Sequence, residues 1–283
     1  FVAAIEGDES DIFAHYGIRK RFSIIVRKPG SLWPRSFFAA VYYRDDIRSA
    51  PPGTIFYVRE PLLAFMLIII SKHFRNSFFI EIHSFTRYPK IVYSIIFKKA
   101  LGIITTTQIK KEVLKKKFAV REGLLLVAPN AIDADDFEYS VNAKDARKSL
   151  QISDTIPSVI FVGKPVANRG IDIFLEVADM LVGKFQFLSV GGDQRDIDAL
   201  RTKKGFNNVR FILQVPHGDV ARFMFAADIL VAPQSARFAD ISQYASQMKA
   251  IEYLASGTPA LLSDIPSMHE MVPDHVGTFV KSD

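Results

Sequence analysis

The chain has no cysteine. That excludes a disulfide scaffold, Cys-ligated zinc or iron–sulfur clusters and a cysteine nucleophile, and it leaves the redox compartment open. Long apolar runs are also lacking. The longest, PLLAFMLIII at 61–70, has ten residues before Ser71, Lys72 and His73, where a membrane-spanning helix needs about 20. No internal repeat or low-complexity tract is visible. There is no Walker A loop, which requires Gly-Lys followed by Ser or Thr after a fixed glycine spacing. No compact Asp-x-Asp pair or His/Asp cluster is placed to hold a metal.

What is present describes an ordinary globular chain. It has 283 residues, 49% apolar and 23% charged, enough for two domains of about 100–150 residues each. The formal net charge of +6 is unevenly spread: residues 1–150 carry 24 basic and 15 acidic side chains, a net of +9, and residues 151–283 carry 12 and 15, a net of −3. A basic, Phe-rich first half suits an anionic membrane, a polyanion or a phosphorylated acceptor, or is simply a solubilising face.

Short apolar runs alternate with helix-like segments along the whole length. In the first half the strand candidates are 55–58, 77–82, 101–106 and 123–127, with helices at 61–73, 91–99 and 107–118. In the second half the strand candidates are 158–162, 185–190, 208–213, 228–233 and 259–262, with helices at 170–183, 194–203, 218–227 and 246–256. Buried β-branched runs separated by helices imply parallel sheets covered on both faces. Two doubly wound α/β domains are expected, 1–150 and 151–283, joined by a linker within 131–157. Ligands of such sheets bind beyond the C-terminal strand ends, which places the expected active site in a cleft between the domains.

Three segments carry candidate chemistry. In FVGKPVANRGIDIF (161–174), a strand runs through Gly163 into a loop with Lys164 and Arg169 and then opens a helix. Glycine admits close approach of a ligand, the helix N-terminus offers free N–H groups, and the two cations complete the outline of a diphosphate cradle. A tight turn beside a solvated basic pair is the alternative. In FLSVGGD (187–193), Gly191 and Gly192 form a second mouth, or an ordinary strand-to-helix turn. In QMKAIEYLASGTPALLSD (247–264), a helix with Ile251, Leu254 and Ala255 on its packed face is capped by Gly257 and stopped by Pro259. Glu252 lies in an apolar setting on that helix, suited to a pair of ligand hydroxyls or, more simply, to a nearby lysine such as Lys249.

Together with VREPLLA at 58–64, IEIH at 80–83, PNAID at 129–133 and ADILVAP at 227–233, these segments resemble glycosyltransferase family 4. These are retaining enzymes of the GT-B fold, with two facing Rossmann-like domains. The resemblance implies that Lys164 and Arg169 neutralise the diphosphate of a nucleotide-sugar donor, a UDP- or GDP-sugar. Gly163, Gly191 and Gly192 would line its site and Glu252 would take the ribose hydroxyls. His83 matches a histidine near the transferred sugar and its leaving phosphate, or is a strand-end histidine. Asn130 matches a structural position at the domain crossing. The family usually has a glutamate eight positions before the ribose-binding one; here Tyr244 stands there, and contacts from Ser246, Gln247 and Met248 replace it.

The same resemblance implies metal-independent transfer with retention, by front-side attack assisted by the leaving phosphate. The acceptor would be a glycan or polyprenyl-linked saccharide of bacterial envelope, lipopolysaccharide or exopolysaccharide synthesis. The basic, aromatic stretch 87–121 would meet an anionic membrane, giving a cytoplasmic protein peripheral to the inner face of the plasma membrane. Against the family pattern both ends look truncated, with the first strand and glycine loop of the N-terminal domain and the closing helices missing. No basic reading helix or aromatic strand platform supports nucleic-acid binding. A sugar-nucleotide epimerase of the same fold and a basic membrane-binding module without catalysis are the competing readings.

Overall fold

The computed structural model describes residues 2–3, 26–27, 35–85, 87–137 and 142–282. The chain divides into two compact units, Phe1–Pro129 and Asn130–Asp283. The expected missing first strand and glycine loop concern residues outside those described.

In the first unit, β1 (Val2–Ala3) pairs in parallel with β2 (Val26–Arg27). After α1 (Arg35–Ser49), a four-stranded parallel sheet runs β3 (Phe56–Val58), β4 (Phe78–Ile82), β5 (Gly102–Thr105) and β6 (Leu125–Val127), in sequence order. The connecting helices are α2 (Pro61–Ile70), α3 (Lys90–Lys99) and α4 (Gln108–Phe118). Strand β4 shows why the sequence folds this way: Phe78, Ile80 and Ile82 alternate into the core, leaving Phe79 and Glu81 on the other face. The apolar run 61–70 is helix α2, started by Pro61 and capped by the Glu60 carboxylate on Leu63 N–H. Only Ala64, Leu67 and Ile68 of that run are buried.

The second unit contains α5 (Ala143–Leu150), β7 (Ser158–Val162), α6 (Ile171–Met180), β8 (Gln186–Val190), α7 (Gln194–Asp198), β9 (Val209–Ile212), α8 (His217–Ala226), β10 (Ile229–Ala232), α9 (Ala239–Ser242), α10 (Met248–Ala255), β11 (Ala260–Asp264), α11 (Pro266–His269) and β12 (Thr278–Lys281). Its six parallel strands are ordered β12-β11-β10-β7-β8-β9. The chain starts in the middle, winds one way to β9 and then the other to β12, so the order reverses between β7 and β10. Alternate residues feed two cores. Ile160, Val162, Leu188, Val190, Leu230 and Leu262 pack with α8, α10 and α11, while Val159, Phe161, Phe187 and Val209 pack with Ile171, Phe174 and Leu175 of α6. This is the doubly wound pattern expected from the apolar runs.

Several expectations are corrected. The units divide at Pro129–Asn130, and part of the presumed linker is α5, which belongs to the second unit. Arg147 anchors that helix by donating to Ala226 O at 2.9 Å and by an ion pair with Asp228 at 2.6 Å. Asp228 also accepts Ser158 N–H at 2.7 Å. Partial burial pushes the Asp228 pKa up, yet the Ser158 and Arg147 contacts hold it below the usual carboxylate range. The helix expected over 194–203 stops at Asp198; the chain then turns through Gly205, at φ +80°, where a Cβ would lie 2.0 Å from Leu175 O. On α10 the packed face holds Ala250, Glu252 and Tyr253, while Ile251 and Leu254 are half-buried and Ala255 is exposed. Gly257 does cap that helix, at φ +69°.

Candidate functional site

The loops after β7, β8 and β10 converge at the point where the strand order reverses. A Cβ on Gly191 would lie 2.8 Å from Gly163 O, and one on Gly170 would lie 1.7 Å from Pro233 O. At both places only glycine allows the loops to touch. A Cβ on Gly192 would likewise lie 2.4 Å from Pro165 Cδ. The start of α6 is thereby pressed against the segment leaving β10, at the point where such sheets bind ligands. In this loop Asn168 Oδ1 is buried without a hydrogen-bond partner among the described residues.

Two cationic side chains stand over Gly163. A Cβ there would be 3.6 Å from Nη1 of Arg169 and 3.8 Å from Cε of Lys249. Lys164 is placed differently: its ammonium pairs with Asp196 at 3.0 Å, and its side chain is 54% exposed. Asp196 simultaneously accepts Asp193 N–H in a capping box that starts α7.

Glu252 is buried, with its side chain 5% exposed, and pairs with Lys249 at 2.9 Å. Its neighbour Tyr253 is wholly buried and hydrogen-bonds both Val162 and Val231. Burial is the main force raising the Tyr253 pKa; the Val162 N–H opposes it, the charge of Glu252 adds to it and that of Arg169 opposes it. The helix bearing Glu252 is therefore fixed between the ends of β7 and β10.

The segment ahead of α10 is more structural than its sequence suggested. Gln247 and Gln234 exchange side-chain hydrogen bonds at 2.7 and 2.9 Å, and Gln247 also donates to Ser267 at 2.7 Å. That buried network occupies the Gln247 amide. Ser246 accepts the Asn130 N–H at 3.4 Å and donates to Met271 sulfur at 3.8 Å. Met248 is exposed.

In the first unit, His83 follows β4 at the C-terminal mouth of that sheet. Its Nε2 lies 2.8 Å from Arg59 Nη2 and 2.6 Å from Glu81 Oε1. One nitrogen cannot both accept from the guanidinium and donate to the carboxylate, so protonation decides the partner. Burial chiefly lowers the His83 pKa; Glu81 opposes this, and Arg59 and Lys110 add to it. Lys110 is 2% exposed and donates to Thr106 Oγ1 at 2.7 Å. Sequence reasoning missed Arg59, Glu81 and Lys110 here and treated Lys249 only as a partner for Glu252. All four stand at or just after a strand end or in the first turn of a helix, the positions that line such mouths.

Residues 156–283 match the family model described as Glycosyl transferases group 1. The match lies wholly within the second unit. An uncharacterized glycosyltransferase of Methanocaldococcus jannaschii, MJ1607, is 23% identical over 183 residues, which are 62% of this chain. The chain spans 45% of the length of that relative. Among solved structures, a glycosyltransferase from Rickettsia africae ESF-5 superposes with a TM-score of 0.72 at 14% identity, over 99% of this chain and 75% of that one. HepE (Alr3699) of Anabaena, in complex with UDP and glucose, gives 0.70 at 16% identity, over 91% and 72%. These likenesses establish the fold: GT-B type, with two Rossmann-like α/β domains. In the second unit Gly163 directly follows β7, Arg169 stands just before α6 and Glu252 lies on α10. Among the described residues no helix is long and apolar enough to cross a membrane.

Proposed function

We propose that the protein is a retaining glycosyltransferase that moves a sugar from a nucleoside diphosphate sugar to a hydroxyl of a glycan or lipid-linked acceptor. The observation that carries this reading is the second unit's mouth, where Arg169 stands over Gly163 beside a buried carboxylate, Glu252. Glu252 takes the ribose hydroxyls. Arg169 and the start of α6 take the diphosphate, with Lys164 held by Asp196 at the edge of the cradle, while Gly163, Gly191 and Gly192 let it approach the backbone. Ser246, Gln247 and Met248 contribute through their backbone. HepE, a likeness of this fold, holds UDP and glucose, and a UDP-sugar is the first donor to test.

In the transfer, the anomeric carbon–oxygen bond breaks and its electron pair goes to the diphosphate. The acceptor oxygen bonds to the anomeric carbon on the same face and gives its proton to a leaving phosphate oxygen. Charge on the diphosphate grows along this path, so cations fixed beforehand bind the transition state more tightly than the ground state. No metal is required for that stabilisation. His83, on the first unit, orients or polarises the reacting sugar.

The acceptor is a glycan or polyprenyl-linked saccharide handled at an anionic membrane face. Support for the membrane comes from the exposed Lys98, Lys99, Lys116 and Lys117 and from Ile91, which is 64% exposed. The aromatic residues of the 87–121 stretch support it less than their sequence suggested, because Tyr93 and Phe97 are buried.

Calorimetric titration of the full chain with UDP, GDP and ADP, without metal, tests the reading. Micromolar binding of one nucleotide, weakened about tenfold or more in Glu252→Ala, is expected, since hydrogen bonds to a charged group contribute about 1.5–3 kcal/mol. A folded protein that binds none of the three would overturn the assigned site.

A further inference from the structure

The expected cation pair, Lys164 and Arg169, is only half realised at the cradle. Lys164 lies next to Gly163 in sequence, yet its ammonium is held by Asp196 at 3.0 Å. Asp196 is well covered, 14% exposed, and also serves the cap of α7. Drawing Lys164 to a ligand would strand that carboxylate with no replacement cation among its described contacts, and an uncompensated, largely buried charge is expensive.

Lys249 is the side chain that shares the space over Gly163 with Arg169. Its Cε lies 3.8 Å from where a Cβ would stand, and Arg169 Nη1 lies 3.6 Å from the same point. Its side chain is 27% exposed, so the ammonium is only partly shielded from water. An ammonium has three N–H donors, and the described contacts of Lys249 use one, to Glu252 at 2.9 Å.

We propose that Lys249 is a further cation of the nucleotide site, beside Arg169. It holds the Glu252 carboxylate in place for a ribose diol and donates directly to the diphosphate beside Arg169. This rests on the nucleotide-site reading above. In the empty site Lys249 neutralises a buried glutamate. In the occupied site the ribose hydroxyls share that carboxylate, and the remaining Lys249 donors face the phosphate oxygens. The ribose and diphosphate subsites are thereby coupled through one residue, where the sequence pattern treats them as separate.

The test separates a direct phosphate contact from mere support of Glu252. The full chain is first titrated with UDP, GDP and ADP to find the nucleotide it binds. That nucleotide and its nucleoside are then titrated, the weaker ligand by competition, against Lys249→Met, Glu252→Gln, Lys164→Met and the Lys249→Met/Glu252→Gln double variant. The double variant leaves no unpaired buried carboxylate, so it keeps the comparison valid even if Lys249→Met alone folds poorly; circular dichroism checks each protein.

The expected result is that Lys249→Met, introduced into the Glu252→Gln background, weakens the diphosphate about tenfold further, the size of one charge-assisted contact. The nucleoside should be unaffected by that step, and Lys164→Met should cost less than Lys249→Met. The proposal is overturned if Lys249→Met has no further effect in the Glu252→Gln background, or if it weakens nucleoside and nucleotide alike. Absence of binding by the folded, unsubstituted chain for all three nucleotides would instead remove the nucleotide-site reading on which it rests.

Discussion

The hydroxyl of Tyr253 accepts the backbone N–H of Val162 at 3.1 Å and donates to the Val231 carbonyl at 3.3 Å. Strands β7 and β10 pair only through Val159 and Ile160 with Ile229 and Leu230. Beyond that they splay, and the tyrosine fills the gap with a substitute for the lost ladder bonds. The splay is what opens a crevice at the reversal of strand order.

Tyr253→Phe should therefore act on stability and on binding together. It leaves a buried N–H and a buried carbonyl without their partner, a loss of about 1–3 kcal/mol. Thermal unfolding of the full chain should shift down by several degrees. Because Glu252 is adjacent on the same helix, nucleotide affinity should fall as well. A variant with unchanged melting temperature would show that Tyr253 is not the bolt between these strands.

Gly170 offers a test of loop convergence. A methyl group there would meet Pro233 O at 1.7 Å, at a backbone φ of +81°. Gly183 has a similar φ of +77° but nothing within 4 Å of the added atom. Gly183→Ala should cost only the left-handed strain, about 1 kcal/mol. Gly170→Ala adds a clash with backbone that cannot swing away and should cost about 3 kcal/mol or more, or prevent soluble expression. Chemical denaturation of the two variants in parallel reads the difference directly; equal losses would mean that the contact with Pro233 relaxes freely.

Much of this architecture was legible beforehand because parallel strands buried on both faces must be apolar at every position. SVIFV is strand 158–162 as read. What escaped was set by partners far away in sequence. Helix α5 offers Ala146 as its one buried residue and is secured by Arg147 reaching Asp228, 81 positions on. Its local signals, Ala143, Ala146 and Leu150 at helical spacing behind the Asn142 cap, are few and set in polar sequence. The same holds for the cations: Lys164 turns to Asp196, 32 positions away by their numbers, while Lys249 looks in sequence like a routine helix-surface pair for Glu252. The face of α10 was misjudged because Tyr253 enters the gap between splayed strands, and hydrophobic spacing carries no information about that gap. The glycine loops were readable, since Gly163 and Gly191 directly follow apolar strands.

His269 should make stability depend on pH in the opposite sense to a buried carboxylate. Its two ring nitrogens lie 2.8 Å from Asp264 and 2.6 Å from Asp274, and its ring stacks on Phe279 at 4.1 Å. Hydrogen bonds to Asp264 and then Asp274 raise its pKa above the ordinary 6.5. A raised value stabilises the folded state fully below pH 6.5 and loses that contribution as pH climbs through the folded-state value. Since the site is open to solvent, the slope should be shallow. Melting temperatures measured from pH 6 to 9 should decline more in the unsubstituted chain than in His269→Gln; parallel curves would refute the assignment.

His83 provides a sharper electrostatic test, because its two neighbours pull its protonation in opposite directions. Burial lowers its pKa most, Glu81 pulls it up, and Arg59 and Lys110 push it down. Removing the carboxylate in Glu81→Gln should lower the value further. Removing the guanidinium in Arg59→Gln should raise it, because the Nε2 proton can then bond to Glu81 without a cation 2.8 Å away. NMR titration of the histidine rings, with the His83 resonance identified by its loss in His83→Gln, reads both shifts. Opposite displacements are required; if both variants move the value the same way, burial alone controls it and the shared nitrogen has no part in setting its charge. The two variants thus tie the charge of His83 to Arg59 and Glu81 at the mouth of the first sheet.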